Sequence, residues 1–162
     1  MDSQKQNELK NYLDAYSFVE FSSGKTIINL LKTVELMKTI YYNLFNRYST
    51  SEPKFFVLLL LSNSKNGMPL SQIGKKLLVS RANITGLIDR MEKEGLVEKK
   101  GNPADKRSIK AHLTAKGKRL FEEVKKPHME FSEKMTQCLS ETEKSQLNFL
   151  LEKIQHHIVS EF

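Results

Sequence analysis

The sequence predicts a mainly α-helical protein of the α+β type, and three observations lead to this fold class. Stretches with apolar residues at helical spacing occupy both ends of the chain, and two shorter ones lie between them. Turn-forming residues at 101–107 separate two extended stretches, which predicts a β-hairpin. Because 162 residues are enough for one hydrophobic core, we expect a single domain over residues 1–162.

The N-terminal third of the chain is predicted to be helical. Residues 2–20 favour a short helix, and Ser22-Ser23-Gly24 is expected to interrupt the pattern. Between residues 26 and 48 apolar residues recur every three or four positions, as in a long amphipathic helix. The next helix, with Ser51 as its expected cap, contains the run Phe55–Leu61, which is apolar on every side and should be buried.

Two short helices are predicted in the middle of the chain. Ser71 is the expected cap of the first, which covers residues 72–78, and Ser80 is the expected cap of the second. The second helix runs from residue 81 to about 94, where Gly95 should end it because glycine readily takes the left-handed conformation.

The hairpin completes a recognisable arrangement. Residues 96–100 and 108–113 are predicted to pair as its strands, since apolar and polar residues alternate in the second stretch. Two short helices followed by a hairpin form a winged helix-turn-helix, an arrangement that binds DNA. We therefore expect a winged helix-turn-helix lobe over residues 53–113.

The flanking segments, residues 1–50 and 114–162, are predicted to be dimerisation helices. Thr114 should cap a long helix, which Pro127 is expected to kink or split, and a last helix begins near Ser140. The apolar stripes of these segments are too long for the central lobe to cover. A second copy of the chain is the expected partner, and an intramolecular bundle is the alternative.

The positive charge is concentrated in one part of the chain. The formal net charge is +7, and residues 71–119 contain thirteen Lys or Arg but only five Asp or Glu. The rest of the chain is almost neutral. This distribution favours a polyanionic partner, here double-stranded DNA, over a solvated basic face or a winged helix that binds protein.

Other classes of protein are disfavoured. The longest apolar run, Phe55–Leu61, is far shorter than the ~20 residues that span a bilayer, and the N-terminus does not resemble a signal peptide, so we expect a cytoplasmic protein. There is no nucleophile motif, phosphate-binding loop or ligand spacing around the four histidines, so we expect no catalysis, cofactor or metal. The single cysteine, Cys138, is expected to be buried, with a redox role left open.

The second short helix carries the candidate DNA-reading face. Ile84, Leu87, Ile88 and Met91 fall within one arc and are expected to face the lobe. The opposite face and the basic loop then face DNA. The candidate DNA-binding residues are Ser80, Arg81, Ala82, Asn83, Thr85, Gly86 and Arg90 of the helix, with Lys106 and Arg107 of the loop.

These side chains suit the edges of base pairs. Arg81 can donate to guanine or phosphate, Asn83 can pair with adenine, and Ala82 or the methyl group of Thr85 can meet a thymine methyl group. Gly86 costs ~1 kcal/mol relative to alanine inside a helix. Our hypothesis is that it allows close approach to the major groove; simple tolerance of a weak helix former is the alternative.

A family resemblance becomes specific at these residues. The segment from Gln72-Ile73-Gly74 to Glu94-Gly95-Leu96-Val97 resembles the helix-turn-helix of the MarR family of transcriptional regulators. The wing of that family is similar to Asn102-Pro103-Ala104-Asp105-Lys106-Arg107 and His112-Leu113-Thr114-Ala115-Lys116-Gly117. The motifs cover residues 70–117 closely, and the flanking helices match only in order, length and apolar pattern.

The resemblance implies a homodimer with interlocked terminal helices that binds a near-palindromic operator, with repression as the expected mode. Each recognition helix would enter a major groove and each wing a minor groove, with Arg107 at the wing tip. Asp105 would brace the loop, and Asp89 would pair with Arg107. Leu78 stands where the family commonly has glycine, and we expect the turn to be built differently because leucine disfavours the left-handed conformation.

The resemblance also implies an alternative function, that of an effector-responsive sensor. A small aromatic or anionic molecule bound between the dimer helices and the lobe would release the DNA. The candidate pocket residues are Tyr41, Tyr42, Phe45, Phe55 and Phe56. Aromatic residues at helical spacing also suit an ordinary core, so both interpretations remain open.

Overall fold

The computed structural model describes the backbone of residues 3–102 and 105–162, and the side chains of these residues except Ser3, Lys5 and those of 102–108. Seven helices and three strands follow one another in this part of the chain. Their bounds are α1 Ser3–Asp14, α2 Ser22–Arg47, α3 Glu52–Ser62, β1 Met68–Pro69, α4 Leu70–Lys76, α5 Arg81–Lys93, β2 Val97–Asn102, β3 Asp105–Leu113, α6 Ala115–Thr136 and α7 Glu141–Glu161. The expected mainly helical α+β class is confirmed.

The chain divides into two compact units, one ending at Lys118 and the other beginning at Arg119. The first unit contains α1 to α5 and the sheet, and the second contains most of α6 and all of α7. In the described residues, none of the helices is long and apolar enough to cross a membrane.

The sheet is antiparallel with the strand order β1-β3-β2. The short strand β1 pairs with the end of β3, with Met68 opposite Ala111. The hairpin β2–β3 begins with Val97 opposite Leu113 and changes register after Gly101. Both strands are longer than the sequence predicts, because the backbone pairing continues to Asn102 and Asp105.

The core of the first unit is formed where α3, α4 and α5 pack beside the sheet. Its fully buried side chains come from all of these elements, and each is at most 2% exposed. They are Phe55, Val57, Leu58, Leu61, Ile73, Ile84, Ile88, Met91, Val97 and Ala111. The prediction that the apolar run of α3 is buried is confirmed for Phe55, Val57, Leu58 and Leu61.

Several helix ends agree with the sequence. Ser80 caps α5 by accepting a hydrogen bond from the backbone N–H of Asn83, and Gly95 ends that helix at φ +71°. Thr114 Oγ1 accepts from the N–H of Gly117 at the start of α6. At α7, Ser140 forms a capping box with Glu143.

Other local predictions are wrong. Ser22 to Gly24 lie inside α2, because the interruption falls earlier, at the turns that follow Asp14. Ser71 is not a cap, since α4 already begins at Leu70 after Pro69, whose ring favours a helix start. Ser51 precedes α3 as expected, but its side chain makes no capping hydrogen bond.

Pro127 does not split α6, which continues from Ala115 to Thr136. A proline removes one backbone hydrogen bond and crowds the preceding turn, but the helical turns on both sides remain bonded. The expected split is therefore wrong.

Candidate nucleic-acid interface

The helix α5 is held at both ends and along its inner face. Ile84, Ile88 and Met91 are at most 1% exposed, whereas Leu87 is only half-buried, so the prediction for Leu87 is wrong in degree. Gly74 of α4 faces this helix, and a Cβ atom there would lie 3.2 Å from Ile84 Cγ2. The absence of a side chain at Gly74 therefore lets α4 and α5 cross closely.

The C-terminal end of α5 is fixed by two other elements. Lys54 of α3 forms an ion pair with Glu94, with Nζ 2.7 Å from Oε1. Thr114 donates its hydroxyl to the carbonyl oxygens of Gly95 and Leu96 at 2.7 and 3.0 Å. These contacts join the end of α5 to α3 and to the start of α6, so the direction of α5 is set by the lobe.

The outer face of α5 is exposed as the sequence predicts. Arg81, Ala82, Asn83, Thr85 and Arg90 are exposed, and so is the capping residue Ser80. The hydroxyl of Thr85 donates to the carbonyl oxygen of Arg81 at 2.8 Å, so its one donor is already used within the helix.

Gly86 lies in the middle of this surface and is half-buried. Among the described residues outside the adjacent helix backbone, a Cβ atom at Gly86 would meet only Nη1 of Arg90 within 4 Å, at 3.5 Å. Packing in the described part of the chain therefore does not require a glycine at this position. If a side chain is excluded at Gly86, the group that excludes it approaches from the exposed side of α5.

Lys99 of β2 connects the wing to α5. Its Nζ lies 2.6 Å from Asp89 Oδ1 and 2.9 Å from Glu92 Oε2, and its backbone N–H donates to Glu92 Oε1 at 2.8 Å. Hydrogen bonds to Asp89 and then Glu92 raise the pKa of Lys99, and the hydrogen bonds from Lys99 lower the pKa of Glu92. One cation is thus shared by two acids on α5 and offsets half of their negative charge.

The sequence did not reveal Lys99. A lysine on a strand of a basic hairpin has the same pattern as its exposed neighbour Lys100, which pairs with Glu98. The only signal was the alternation of the strand, which places Lys99 and Lys100 on opposite faces.

The predicted residues of the wing tip lie outside the described side chains. The backbone of Asn102 pairs with that of Asp105. The side chains of Asp105, Lys106 and Arg107 are not described, and the expected pairing of Asp89 with Arg107 stays a prediction.

The turn between α4 and α5 contains a left-handed leucine. Leu78 has φ +52°, so the expectation that leucine would avoid this conformation is wrong. Two backbone hydrogen bonds hold it: Leu78 N–H donates to the carbonyl of Lys75, and Val79 N–H donates to that of Gly74. These bonds end α4 in the way that a glycine usually does.

The aromatic side chains predicted for an effector pocket form a connected series. Ring centroids are 5.8 Å apart for Tyr41 and Phe45, 5.4 Å for Phe45 and Phe55, and 5.9 Å for Phe55 and Phe56. Phe45 and Phe55 are 1% and 2% exposed, whereas Tyr42 is 66% exposed.

A cavity of about 240 Å³ lies beside this series, between the end of α2 and the start of α3. Tyr42 and Phe45 line it, but Tyr41, Phe55 and Phe56 do not. The other lining residues are Lys38, Asn46, Thr50, Ser51, Glu52 and Pro53. Thr50 is 7% exposed, and its Oγ1 atom has no hydrogen-bond partner.

Two remaining expectations concern cysteine and metals. Cys138 is exposed, so the expectation of a buried thiol is wrong, because the residue lies in the turn after α6 and not on the helix itself. Among the described residues, no three His, Cys, Asp or Glu side chains lie close enough together to hold a metal ion.

Known proteins resemble this chain in sequence and in fold. The family model described as MarR family matches residues 50–109. YkoM of Bacillus subtilis, described as an uncharacterized HTH-type transcriptional regulator, is 35% identical over 105 residues, which are 65% of this chain and 68% of YkoM. MhqR of the same organism, an HTH-type transcriptional regulator, is 32% identical over 63% of this chain and 70% of its own length.

The solved structures support the fold. AbsC, a MarR family transcriptional regulator from Streptomyces coelicolor, superposes with a TM-score of 0.82 at 19% identity and covers 88% of this chain and 98% of AbsC. MepR of S. aureus in its complex with DNA gives a TM-score of 0.75 at 20% identity, over 85% of this chain and 99% of MepR. The sequence matches agree with the helix-turn-helix and hairpin that the structure contains. The chain therefore belongs to the MarR family of DNA-binding transcriptional regulators.

Proposed function

We propose that the chain binds a near-palindromic operator as a homodimer and represses transcription in the cytoplasm. The observation that carries this proposal is the outer face of α5. It exposes an arginine, an asparagine and two methyl-bearing residues, and it lies within the segment that holds the excess positive charge. Relatives described as transcriptional repressors, YetL of B. subtilis and MprA of Escherichia coli, support the sign of regulation.

The residues at the start of α5 have separate roles in this proposal. Arg81 donates to guanine or to a phosphate, and Asn83 pairs with adenine in the major groove. Ala82 and Thr85 offer methyl groups to thymine, which suits Thr85 because its hydroxyl is bonded within the helix. Ser80 and the amides of the first turn suit a phosphate oxygen.

The outer middle of α5 and the wing extend this surface. Gly86 lets the helix approach the groove, and Arg90 contacts the backbone of the duplex. Lys106 and Arg107 lie over the adjacent minor groove, where the negative potential attracts arginine. Asp105 braces the loop, and the pairing of Asp89 with Arg107 would add to the contact that Lys99 already makes.

Gel shifts across a salt series test the DNA-binding proposal, with the tightest-binding duplex from a random-sequence selection as the probe. The logarithm of the affinity should fall linearly with the logarithm of the salt concentration, because bound cations release counterions. Arg81→Ala should weaken binding by roughly tenfold or more. Arg47→Ala removes the same group from the end of α2 and should change little; equal effects of both variants would contradict the proposed role of α5.

The homodimer is supported by the apolar surface of α7. The helix has no buried residue, although an apolar stripe runs along it. Exposed apolar residues on α7 are Leu147, Phe149, Leu150, Ile158 and Val159, with Phe162 at its end. A 21-residue helix of this kind needs a partner, and an isologous second copy supplies one.

Oligomeric state measured by light scattering tests the dimer. Leu147→Glu places a charge on the apolar stripe and should shift the protein towards a monomer. His156→Glu introduces the same carboxylate on the opposite side of the helix and should leave the molecular mass of the assembly unchanged. A wild-type chain that is monomeric at micromolar concentration would exclude the dimer.

A second candidate function, effector sensing, is favoured by Thr50. Its buried Oγ1 atom borders a cavity whose lining also contains the aromatic residues Tyr42 and Phe45, the base Lys38 and the acid Glu52. An unpaired hydroxyl, a cation and aromatic walls suit a small aromatic anion or phenol. Within this proposal Tyr42 and Phe45 contact the ligand, while Tyr41, Phe55 and Phe56 support Phe45.

The ligands of structural relatives guide the test of this site. PcaV of S. coelicolor has been solved with its natural ligand, and the organohalide-sensing RdhR with 2,4-dichlorophenol. We expect 2,4-dichlorophenol or a hydroxybenzoate to raise the Tm of this protein and to release it from DNA. Thr50→Val keeps the size of the side chain but removes the hydroxyl, and it should reduce the ligand-induced rise in Tm. Thr39→Val on an exposed face of α2 should leave that rise unchanged.

A further inference from the structure

Leu78 is unusual on the surface that we propose to face DNA. It lies in the turn between α4 and α5, three residues before Arg81, and its side chain is 94% exposed. Among the described large apolar side chains, only that of the C-terminal residue Phe162 is more exposed. Leu78 also has φ +52°, a region in which a residue with a branched side chain is strained.

Both properties of Leu78 are unfavourable in the free protein. The left-handed backbone conformation favours glycine, and the exposed isobutyl group contributes nothing to the core. A glycine here would relieve the strain without loss of buried area. A contact that Leu78 makes only when the protein is bound to a partner would compensate for the backbone strain and for the exposed apolar side chain.

The surroundings of Leu78 indicate what covers it. The side chain borders an open groove that is lined by Ser71, Gly74, Lys75, Leu78, Val79, Arg81 and Ile84. Lys75 and Arg81 are exposed in this lining, which contains no carboxylate. An apolar side chain between two cations fits a polyanion that also offers apolar groups, and the groove is continuous with the start of α5.

We propose that Leu78 is a direct DNA contact. Its side chain packs against apolar groups of the duplex, either thymine methyl groups or deoxyribose carbons, beside the bases that Arg81 and Asn83 reach. This inference rests on the proposed DNA-binding function of α5, since that function brings the groove to the duplex. Apolar contacts with thymine methyl groups are an established means of reading sequence.

Two substitutions of Leu78 and one matched control test the inference. Leu78→Gly and Leu78→Asn both accept a positive φ, so both should fold, and the glycine should raise the Tm by about 2–4 °C. Both should lower the affinity for the selected duplex by roughly fivefold to tenfold. The salt dependence should not change, because no ionic contact is removed.

Ser49→Gly is the matched control. Ser49 is the other described non-glycine residue at positive φ, +50°, and it lies in the turn between α2 and α3. This variant should gain stability without loss of DNA affinity. A wild-type affinity in both Leu78 variants would overturn the inference and point to a protein partner, and a loss with glycine alone would overturn it in favour of turn flexibility.

Replacing thymine by uracil in the selected duplex identifies the apolar group. If uracil lowers wild-type affinity and abolishes the difference from Leu78→Gly, Leu78 contacts thymine methyl groups; if the difference persists, it contacts deoxyribose. If the proposed DNA-binding function itself is wrong, the wild-type protein will show no salt-dependent binding to the duplex. That result would contradict both the proposed function and the Leu78 contact.

Discussion

The ammonium group of Lys99 on β2 lies 2.6 Å from the carboxylate of Asp89 on α5. This contact joins the hairpin to the helix that we propose to read DNA. The same ammonium group also bonds Glu92, so a single side chain offsets half of the negative charge of two acids on that helix. The geometry explains how a helix with two acids can belong to a DNA-facing surface, because without Lys99 these acids would repel phosphates.

We predict that Lys99→Met lowers operator affinity by roughly tenfold, since it removes a cation and leaves Asp89 and Glu92 unneutralised beside the duplex. Lys100→Met on the same strand is the control, because among the described side chains Lys100 pairs with its neighbour Glu98 and not with an acid of α5. Titration of both variants by fluorescence anisotropy at constant salt checks the prediction. Equal losses would show that only net charge matters.

Gly86→Ala should have opposite effects on stability and on DNA binding. The helix should gain ~1 kcal/mol, because a Cβ atom at Gly86 meets only the flexible end of Arg90. If the helix approaches the groove closely at this point, the methyl group should lower operator affinity at least severalfold. Denaturant unfolding and DNA titration on the same preparation test both effects, and unchanged affinity would favour the interpretation of a tolerated glycine.

Gly117→Ala should destabilise the protein by about 1–3 kcal/mol or more. A Cβ atom at Gly117 would clash with the backbone carbonyl of Leu96, and it would lie 3.0 Å from Leu113 Cδ1. Backbone cannot move aside as a flexible side chain can. Gly101→Ala is the control, because no heavy atom of the described residues, apart from its chain neighbours, lies within 4 Å of the added methyl group. Denaturant midpoints should separate the two variants clearly.

His128 should make stability depend on pH in mildly acidic solution. Burial lowers its pKa below the ordinary value of 6.5, because the charged imidazolium loses hydration in the fold. The unfolded chain therefore binds the proton more readily, and stability is lost as pH falls below about 6.5. The Tm should decrease between pH 7.5 and 5.5, and His128→Gln should flatten this decrease.

The local structure of the lobe could be predicted because it depends on short-range chemistry. Ser80, Thr114 and Ser140 each precede a helix and satisfy free backbone amides within three residues. Gly95 ends α5 because glycine takes a positive φ without strain. The alternation of residues 108–113 likewise follows from the period of a strand. These features require no knowledge of distant contacts, and they were sufficient to predict the fold class and the exposed face of α5.

Tertiary structure alone decided the contacts between elements that are distant along the chain. Lys99 meets Asp89 because the hairpin folds back onto α5, and the cavity beside Thr50 forms where α2 turns into α3. The left-handed Leu78 is a different case, because the backbone bonds that hold it are local and only the preference of leucine argued against them. The physical reason for the division is that capping and periodicity act within a few residues, whereas ion pairs and cavities depend on which surfaces packing brings together.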